Sequence, residues 1–412
     1  MNIRRTAALV AATVVIGAVS AQAAFADGAD SASPSPKTAV PSGLYGKTDP
    51  TYDGVWRQSL AFVAQDTAGV RPAAKAVDWL AGQQCADGGF AAFRADPGKA
   101  CDAKTPVDSN STAAAVQALA AVGGRDEAVT KGVGWLKKNQ NDDGGWGYNP
   151  GGASDANSTS VVLGALAAAG QQGADVTSGR GKSGLDALAA LALPCSDGKN
   201  GGALAYQPDK KGKLAPNADA TAAGVLGALG SGFAPGKGKA PGAYTCDGGK
   251  SADDLAHNGA VYLQNQLSTH LYLKSQLAGA EDQPDYGNTA DAVAAVAAAE
   301  GIKYTKDPYA WLEKNAKGWA AQSGPAAYAQ LIFAAHATGN DPHDFGGTDL
   351  VGALNKTGPA PASADSADDG AKKKDDKSDD GGGLGTWWIV GVMFVAAVGA
   401  GFLLSGRKKQ QL

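Results

Sequence analysis

Glycosidic hydrolysis needs two carboxyl groups facing one another, and two Asp-Gly-Gly triplets, Asp87-Gly88-Gly89 and Asp143-Gly144-Gly145, offer candidates. The same triplet also makes a turn, with Asp bonding its own backbone and Gly taking a positive φ. The turn reading is preferred, because the triplet recurs where a single active site would need it once. A second set is larger. Asp108, Asn110, Ser111, Asp155, Asn157, Ser158, Asn217, Asp219, Asn288 and Asp291 stand at or near the starts of Ala/Leu/Val-rich runs, with Trp146, Tyr148, Tyr206 and Tyr286 at or just before such starts. Side chains at helix N-termini either cap backbone N–H groups or, gathered at one end of a barrel, hold a ligand beside aromatic faces. His336 lies on an apolar run and suits a core position, while His257, His270 and His343 are scattered without a carboxylate at metal-ligand spacing. No Ser nucleophile elbow, Cys/His pairing or phosphate loop stands in the chain. These residues therefore imply a binding mouth, name no catalytic residue and call for no cofactor or metal.

The elements that would position them repeat. Trp79-Leu80-Ala81-Gly82-Gln83-Gln84-Cys85-Ala86-Asp87-Gly88-Gly89-Phe90 aligns without a gap on Trp135-Leu136-Lys137-Lys138-Asn139-Gln140-Asn141-Asp142-Asp143-Gly144-Gly145-Trp146. Each block leads through a polar loop to Asp-x-Asn-Ser-Thr, at Asp108 to Thr112 and Asp155 to Thr159, then to a small-residue run ending in Gly. Weaker copies pass through Gly201-Gly202 to Gly230, Asn288 to Gly301, and Trp311 to Gly339. Ala and Leu dominate, β-branched residues are few and apolar positions recur at three and four, so the runs read as helices. One helix class is almost wholly apolar; the other is amphipathic, as in Lys131 to Asn139. About six of each are expected, and closing the apolar set into a ring covers it on all sides. The expected fold is all-α, an α/α toroid over residues 55–355, with an open solenoid of helix pairs as the alternative.

The chain ends carry different signals. Arg4 and Arg5, the apolar stretch Thr6 to Ser20, and Ala21-Gln22-Ala23 and Ala24-Phe25-Ala26 have the order of a secretory signal over residues 1–26. Residues 27–54 read as a disordered linker, 356–383 as a disordered Pro/Ala/Asp/Lys/Gly stalk, 384–406 as a transmembrane helix and 407–412 as a basic cytoplasmic tail. Trp387 to Leu404 is uncharged and at ~1.5 Å per residue spans roughly 27 Å. The toroid is thus expected outside a cell membrane on a single C-terminal span. A net charge of −4 suggests no nucleic-acid partner. The four cysteines Cys85, Cys101, Cys195 and Cys246 suit two disulfides, with Cys85–Cys101 and Cys195–Cys246 preferred because each closes one loop between neighbouring helices. Leu354-Asn355-Lys356-Thr357-Gly358 faintly resembles a signal for covalent attachment to a bacterial wall.

The Trp-Leu, Gln and Asp-Gly-Gly-aromatic blocks resemble the prenyltransferase and squalene-oxidase repeats of the terpenoid cyclase/protein prenyltransferase toroid superfamily, over roughly Val55 to Asn355 and specifically in the first two repeats. The resemblance implies an α/α barrel shared by triterpene cyclases, protein prenyltransferase β subunits, complement thioester domains and cobalamin carriers, among which fold does not choose. The catalytic signatures it would bring do not follow. D-x-D-D is absent, Asp253-Asp254 and Asp368-Asp369 being only Ser-Ala-Asp-Asp. Cys246-Asp247 and His270 have the residue types of the prenyltransferase zinc site but not its order, and Gly-Cys-Gly-Glu-Gln does not occur. The expected function is a non-catalytic, membrane-anchored surface toroid binding a ligand or protein at its mouth. Alternatives are a divergent cyclase-like or carbohydrate-active envelope enzyme, or a carrier of a hydrophobic or corrinoid-like small molecule.

Overall fold

A computed structural model describes residues 38–238, 245–277 and 279–362. The expected signal, the transmembrane span, the tail and most of the stalk lie outside them. The chain divides into two units after Ser363, and the described residues all belong to the first.

The described residues form thirteen α-helices and two short antiparallel ladders, an all-α fold. Six helices are lined by small apolar residues: α1 (Gly54–Thr67), α3 (Ser109–Val122), α5 (Ala156–Ala168), α7 (Ala218–Leu229), α9 (Tyr286–Glu300) and α12 (Pro325–Thr338). Each packs on the next in this order and α12 packs on α1, so the six close into a ring. Closure follows from composition: eleven of the residues of α9 are buried, which a helix with one apolar stripe could not tolerate. The outer set is α2 (Ala74–Gly82), α4 (Asp126–Lys138), α6 (Gly184–Leu191), α8 (Ala252–His270), the consecutive pair α10 (Lys306–Asn315) and α11 (Lys317–Ser323), and α13 (Leu350–Asn355). On α4 Val133 and Leu136 are buried while Lys131, Lys137 and Lys138 face water. No helix among the described residues is long and apolar enough to cross a membrane.

The Asp-Gly-Gly triplets are turns. Asp87 and Asp143 accept from the N–H groups of Gly89 and Gly145 at 3.2 and 3.0 Å. Gly88 (φ 101°) and Gly144 (φ 90°) press against the carbonyls of Lys131 and Ser183 on the next outer element, where a Cβ has no room. Gln84 and Gln140 fasten each turn, donating both to the turn carbonyl (Gly88 or Gly144) and to the next repeat (Ala128 or Val176). The repeat is thus a device for locking one outer helix to its successor.

Two disulfides, Cys85–Cys101 and Cys195–Cys246, staple loops of the domain, and no described cysteine is free. They fit an oxidising, exported environment.

The boundaries expected for the linker and stalk need correcting. Leu44 and Tyr45 are buried, held by Arg57 and Gln58 of α1: Arg57 donates to the carbonyls of Tyr45 and Thr48 (2.9 Å each), and Gln58 accepts from the Tyr45 N–H at 2.8 Å. The other chain end meets this segment. The Tyr45 hydroxyl donates to the Pro359 carbonyl at 2.9 Å, and the Gly46 N–H to the Thr357 carbonyl at 3.0 Å. Residues 43–54 and 356–359 therefore belong to the domain, because an aromatic ring and a buried guanidinium need partners that only the fold supplies. The same clasp holds Leu354-Asn355-Lys356-Thr357-Gly358, with Leu354 buried and Gly358 against the Tyr45 ring. A sorting signal must be reachable by its enzyme, and this one is folded in.

Candidate functional site

The N-termini of the inner helices share one end of the ring. In three of them a leading N–H is met by the loop that follows: Val55 donates to Ala92, Ser109 to Tyr148 and Ala156 to Tyr206. Asp108 and Asp155 are N-caps, each accepting from a backbone N–H and from a hydroxyl, of Ser111 and Ser158 respectively, at 2.6–2.8 Å. Asn217 caps α7 through the Ala220 N–H, and Asp285 caps α9 through Asn288, whose side-chain amide also donates to it. Thr112, Thr159, Thr221 and Thr289 accept from Phe90, Trp146, Leu204 and Leu273, tying each incoming loop to its helix. Asp108, Ser111, Asp155, Ser158, Asn217 and Asn288 are thus spent on building the end of the ring. Trp146 is fully buried with its Nε1–H on the Leu136 carbonyl at 2.7 Å, so it packs the wall and presents no face to a ligand.

What remains is an arc of polar side chains contributed by five of the six inner helices. Asn110, Asn157 and Asp219 are the second residues of α3, α5 and α7. Asp291 and Gln330 are the sixth residues of α9 and α12. Asn157 Nδ2 donates to Asp219 Oδ2 at 2.7 Å, and Gln330 Nε2 to Asp291 Oδ2 at 2.8 Å. The carbonyl oxygens of Asn110 and Asn157 are buried without a hydrogen-bond partner. An unpartnered buried acceptor costs on the order of 1–3 kcal/mol, which makes two at one end of a ring informative.

Burial pushes the Asp291 carboxyl up to about 7, helped by the neighbouring Asp219 and Asp285 and opposed by the Gln330 amide. Asp219 is raised by burial against the pull of Asn157, and Asp285 likewise against its cap bonds. Burial also raises Asp108 to about 6 and, with the adjacent carboxylates, holds the Tyr148 and Tyr206 hydroxyls at about 12. No ion pair reaches Asp219, Asp285 or Asp291 among the described residues. One wall is aromatic. Tyr286 stacks on Trp311 (5.5 Å between centroids) and on Trp319 (5.8 Å), and Trp311 stacks on Tyr272 (4.7 Å). Sequence reasoning did not single out Gln330, Asp285, Trp311 or Trp319 for this end. Gln330 is detectable by counting, since it holds in α12 the position that Asp291 holds in α9.

The opposite end is stoppered. After α7 the chain crosses the ring: the Phe233 N–H donates to Gln117 Oε1 on α3 at 3.0 Å, and Gly238 donates to the Ala297 carbonyl on α9 at 3.0 Å. The Phe233 ring meets Trp56 edge-on at 5.3 Å and stacks on Phe333 at 6.4 Å. A cavity of about 320 Å³ lies beside this plug, paved by Ala121, Gly164, Ala168 and Gly232 among others. Among the described residues no group of three or more His, Cys, Asp or Glu side chains could hold a metal.

The sequence matches no family model and no curated protein. Solved structures of similar shape include a protein from Actinoplanes (TM-score 0.48, 15% identity, 74% of this chain and 96% of that one). Others are an ent-copalyl diphosphate synthase from Streptomyces platensis (0.44, 17%, 69% and 50%) and a sugar epimerase from a ruminal bacterium (0.44, 13%, 68% and 81%). The chain spans half the length of the synthase.

Proposed function

We propose that this protein is a surface-displayed binding module of the terpenoid cyclase/protein prenyltransferase toroid type, anchored by its C-terminal apolar segment, that takes a ligand at the N-terminal mouth of its ring without transforming it. The observation that carries the reading is the arc of Asn110, Asn157, Asp219, Asp291 and Gln330, drawn from five helices and left with two unpartnered acceptor oxygens. Folding stability alone does not call for such a group, since apolar side chains in its place would avoid the desolvation cost. Native mass spectrometry of the full-length protein, incubated with a cell-envelope extract, tests it. Retention of a ligand by the wild type and its loss in an Asp219→Ala/Asp291→Ala double variant are expected; an identical, ligand-free spectrum for both would overturn the proposal.

A second reading is favoured by one observation. Asp291, with its carboxyl near 7 beside Asp219, can exchange a proton at neutral pH, as an acid/base pair in an envelope enzyme would. Conversion of an extract component by the wild type but not by Asp291→Asn would select this reading over simple binding.

A further inference from the structure

Two acceptors of the mouth stand without donors. One N–H of Asn157 and one of Gln330 go to an oxygen of Asp219 and of Asp291 respectively, while the carbonyl oxygens of Asn110 and Asn157 have no partner. What those two oxygens call for is a hydrogen-bond donor. It is also a positive one. Asp219 and Asp285 both act on Asp291 as unneutralised neighbours, and no described Lys, Arg or His forms an ion pair with any of the three. Three desolvated carboxyl groups repel one another unless a proton or a cation stands among them.

The third observation is independent of charge. Tyr286, the first residue of α9, carries the aromatic wall, and Trp319 closes on the backbone beside the carboxyls. A Cβ placed on Gly287 would lie 3.4 Å from the Trp319 ring and 3.3 Å from Gln330 Oε1. Electron-rich ring faces attract a desolvated cation and have no corresponding preference for an anion.

Resting on the reading of this end as a binding site, we infer that the mouth recognises a primary organic ammonium group: its N–H donors meet Asn110, Asn157 and the carboxylates, and its carbon skeleton lies against Tyr286 and Trp319. An inorganic cation fits less well, since the carboxyl groups here are not grouped closely enough for three of them to hold one among the described residues.

The charge requirement makes binding depend on pH. The titratable groups around the site are Asp108 and Tyr148 on the α3 side, Asp155 and Tyr206 on the α5 side, Asp219 on α7, and Asp285 and Asp291 on α9; α12 contributes the uncharged Gln330. A cation binds the ionised carboxylates, so its affinity rises with pH while a neutral hydroxyl ligand gains nothing. The test is a tryptophan-fluorescence titration of the full-length protein with n-butylammonium chloride, at pH 6 and pH 8 and constant ionic strength, with n-butanol and myo-inositol as neutral probes. Saturable binding of butylammonium is expected, about tenfold tighter at pH 8, and weakened about tenfold or more at pH 8 by Asp219→Asn/Asp291→Asn. The wild-type pH comparison stands whether or not the variant folds. Binding of inositol with a flat pH profile and no response to butylammonium would overturn the cation inference while leaving the mouth a ligand site. No saturation by any probe up to about 100 mM, with no ligand retained from envelope extract, would remove both.

Discussion

Asp291 governs the titration of the mouth. Its folded pKa of about 7 lies above the unfolded value of 3.8, so its contribution to stability is full below pH 4 and is lost as pH rises through 7. Asp291→Asn keeps an acceptor for Gln330 and removes the charge. The variant is expected to match the wild type at pH 4 and to exceed it by roughly 1–3 kcal/mol at pH 8, after allowing for solvent screening, in urea unfolding at the two pH values. A wild-type advantage at pH 8 would mean that Asp291 is neutralised by a group other than those described. Gly144 is a residue of another kind. Its positive φ and its closeness to the Ser183 carbonyl leave no room for a methyl group, so Gly144→Ala is expected to lower stability by about 2 kcal/mol or more in the same assay.

At the scale of elements, α8 and α9 are joined by a pair in which Glu300 is buried and His257 partly so. His257 Nδ1 meets Glu300 Oε1 at 2.5 Å, its Nε2 meets the Thr245 carbonyl at 3.1 Å, and the second Glu300 oxygen is buried without a partner. For His257, burial lowers the pKa, but the bonds to Glu300 and Thr245 outweigh it and leave it raised above 6.5; burial raises Glu300 above 4.5. Both signs agree: the pair stabilises the fold at low pH and its contribution is lost as pH rises through the folded pKa of His257. Stability should fall more steeply between pH 6.5 and 8.5 in the wild type than in His257→Gln/Glu300→Gln, whereas His257→Gln alone strands a carboxylate and costs about 2–4 kcal/mol. Parallel curves for wild type and double variant would show the pair to be silent. The plug is the second element with a job. Phe233→Ala removes the ring lodged between Trp56 and Phe333, and is expected to cost roughly 2–3 kcal/mol in urea unfolding and to raise the binding of an apolar dye at the stoppered end.

At the scale of the molecule, closure is what matters. The ring brings α12 onto α1, the clasp of Tyr45 with Pro359 joins the two ends of the domain, and the disulfides close loops separated by 16 and 51 residues. Loop-closure entropy assigns about 3 and about 4 kcal/mol to the two bridges. Reduction should lower the thermal midpoint without abolishing folding, because the ring packs independently of them; scanning calorimetry with and without reductant checks this, and complete unfolding on reduction would show that the core does not hold unaided. The same closure makes the mouth, since it returns α12, which carries Gln330, to the ring whose other helices carry Asn110, Asn157, Asp219 and Asp291.

The periodicity of small apolar runs determined by itself that the chain is helical, that its helices alternate between buried and half-exposed, and that Asp-Gly-Gly is a turn, because these follow from local backbone preference and from how much surface a helix can bury. The cysteine pairing was only a preference in the sequence, from the loops each bridge would close, and the structure decides it as Cys85–Cys101 and Cys195–Cys246. Tertiary structure alone decided which polar residues at the helix starts are caps and which face one another. Asp155 and Asp219 look alike in the sequence, yet one is consumed by the N–H and hydroxyl of Ser158 and the other is reached by Asn157 across a helix seam. The fastening of Tyr45 and the crossing of Phe233 were equally hidden, since both lie in Gly/Pro-rich stretches whose order comes from distant partners rather than from any propensity of their own.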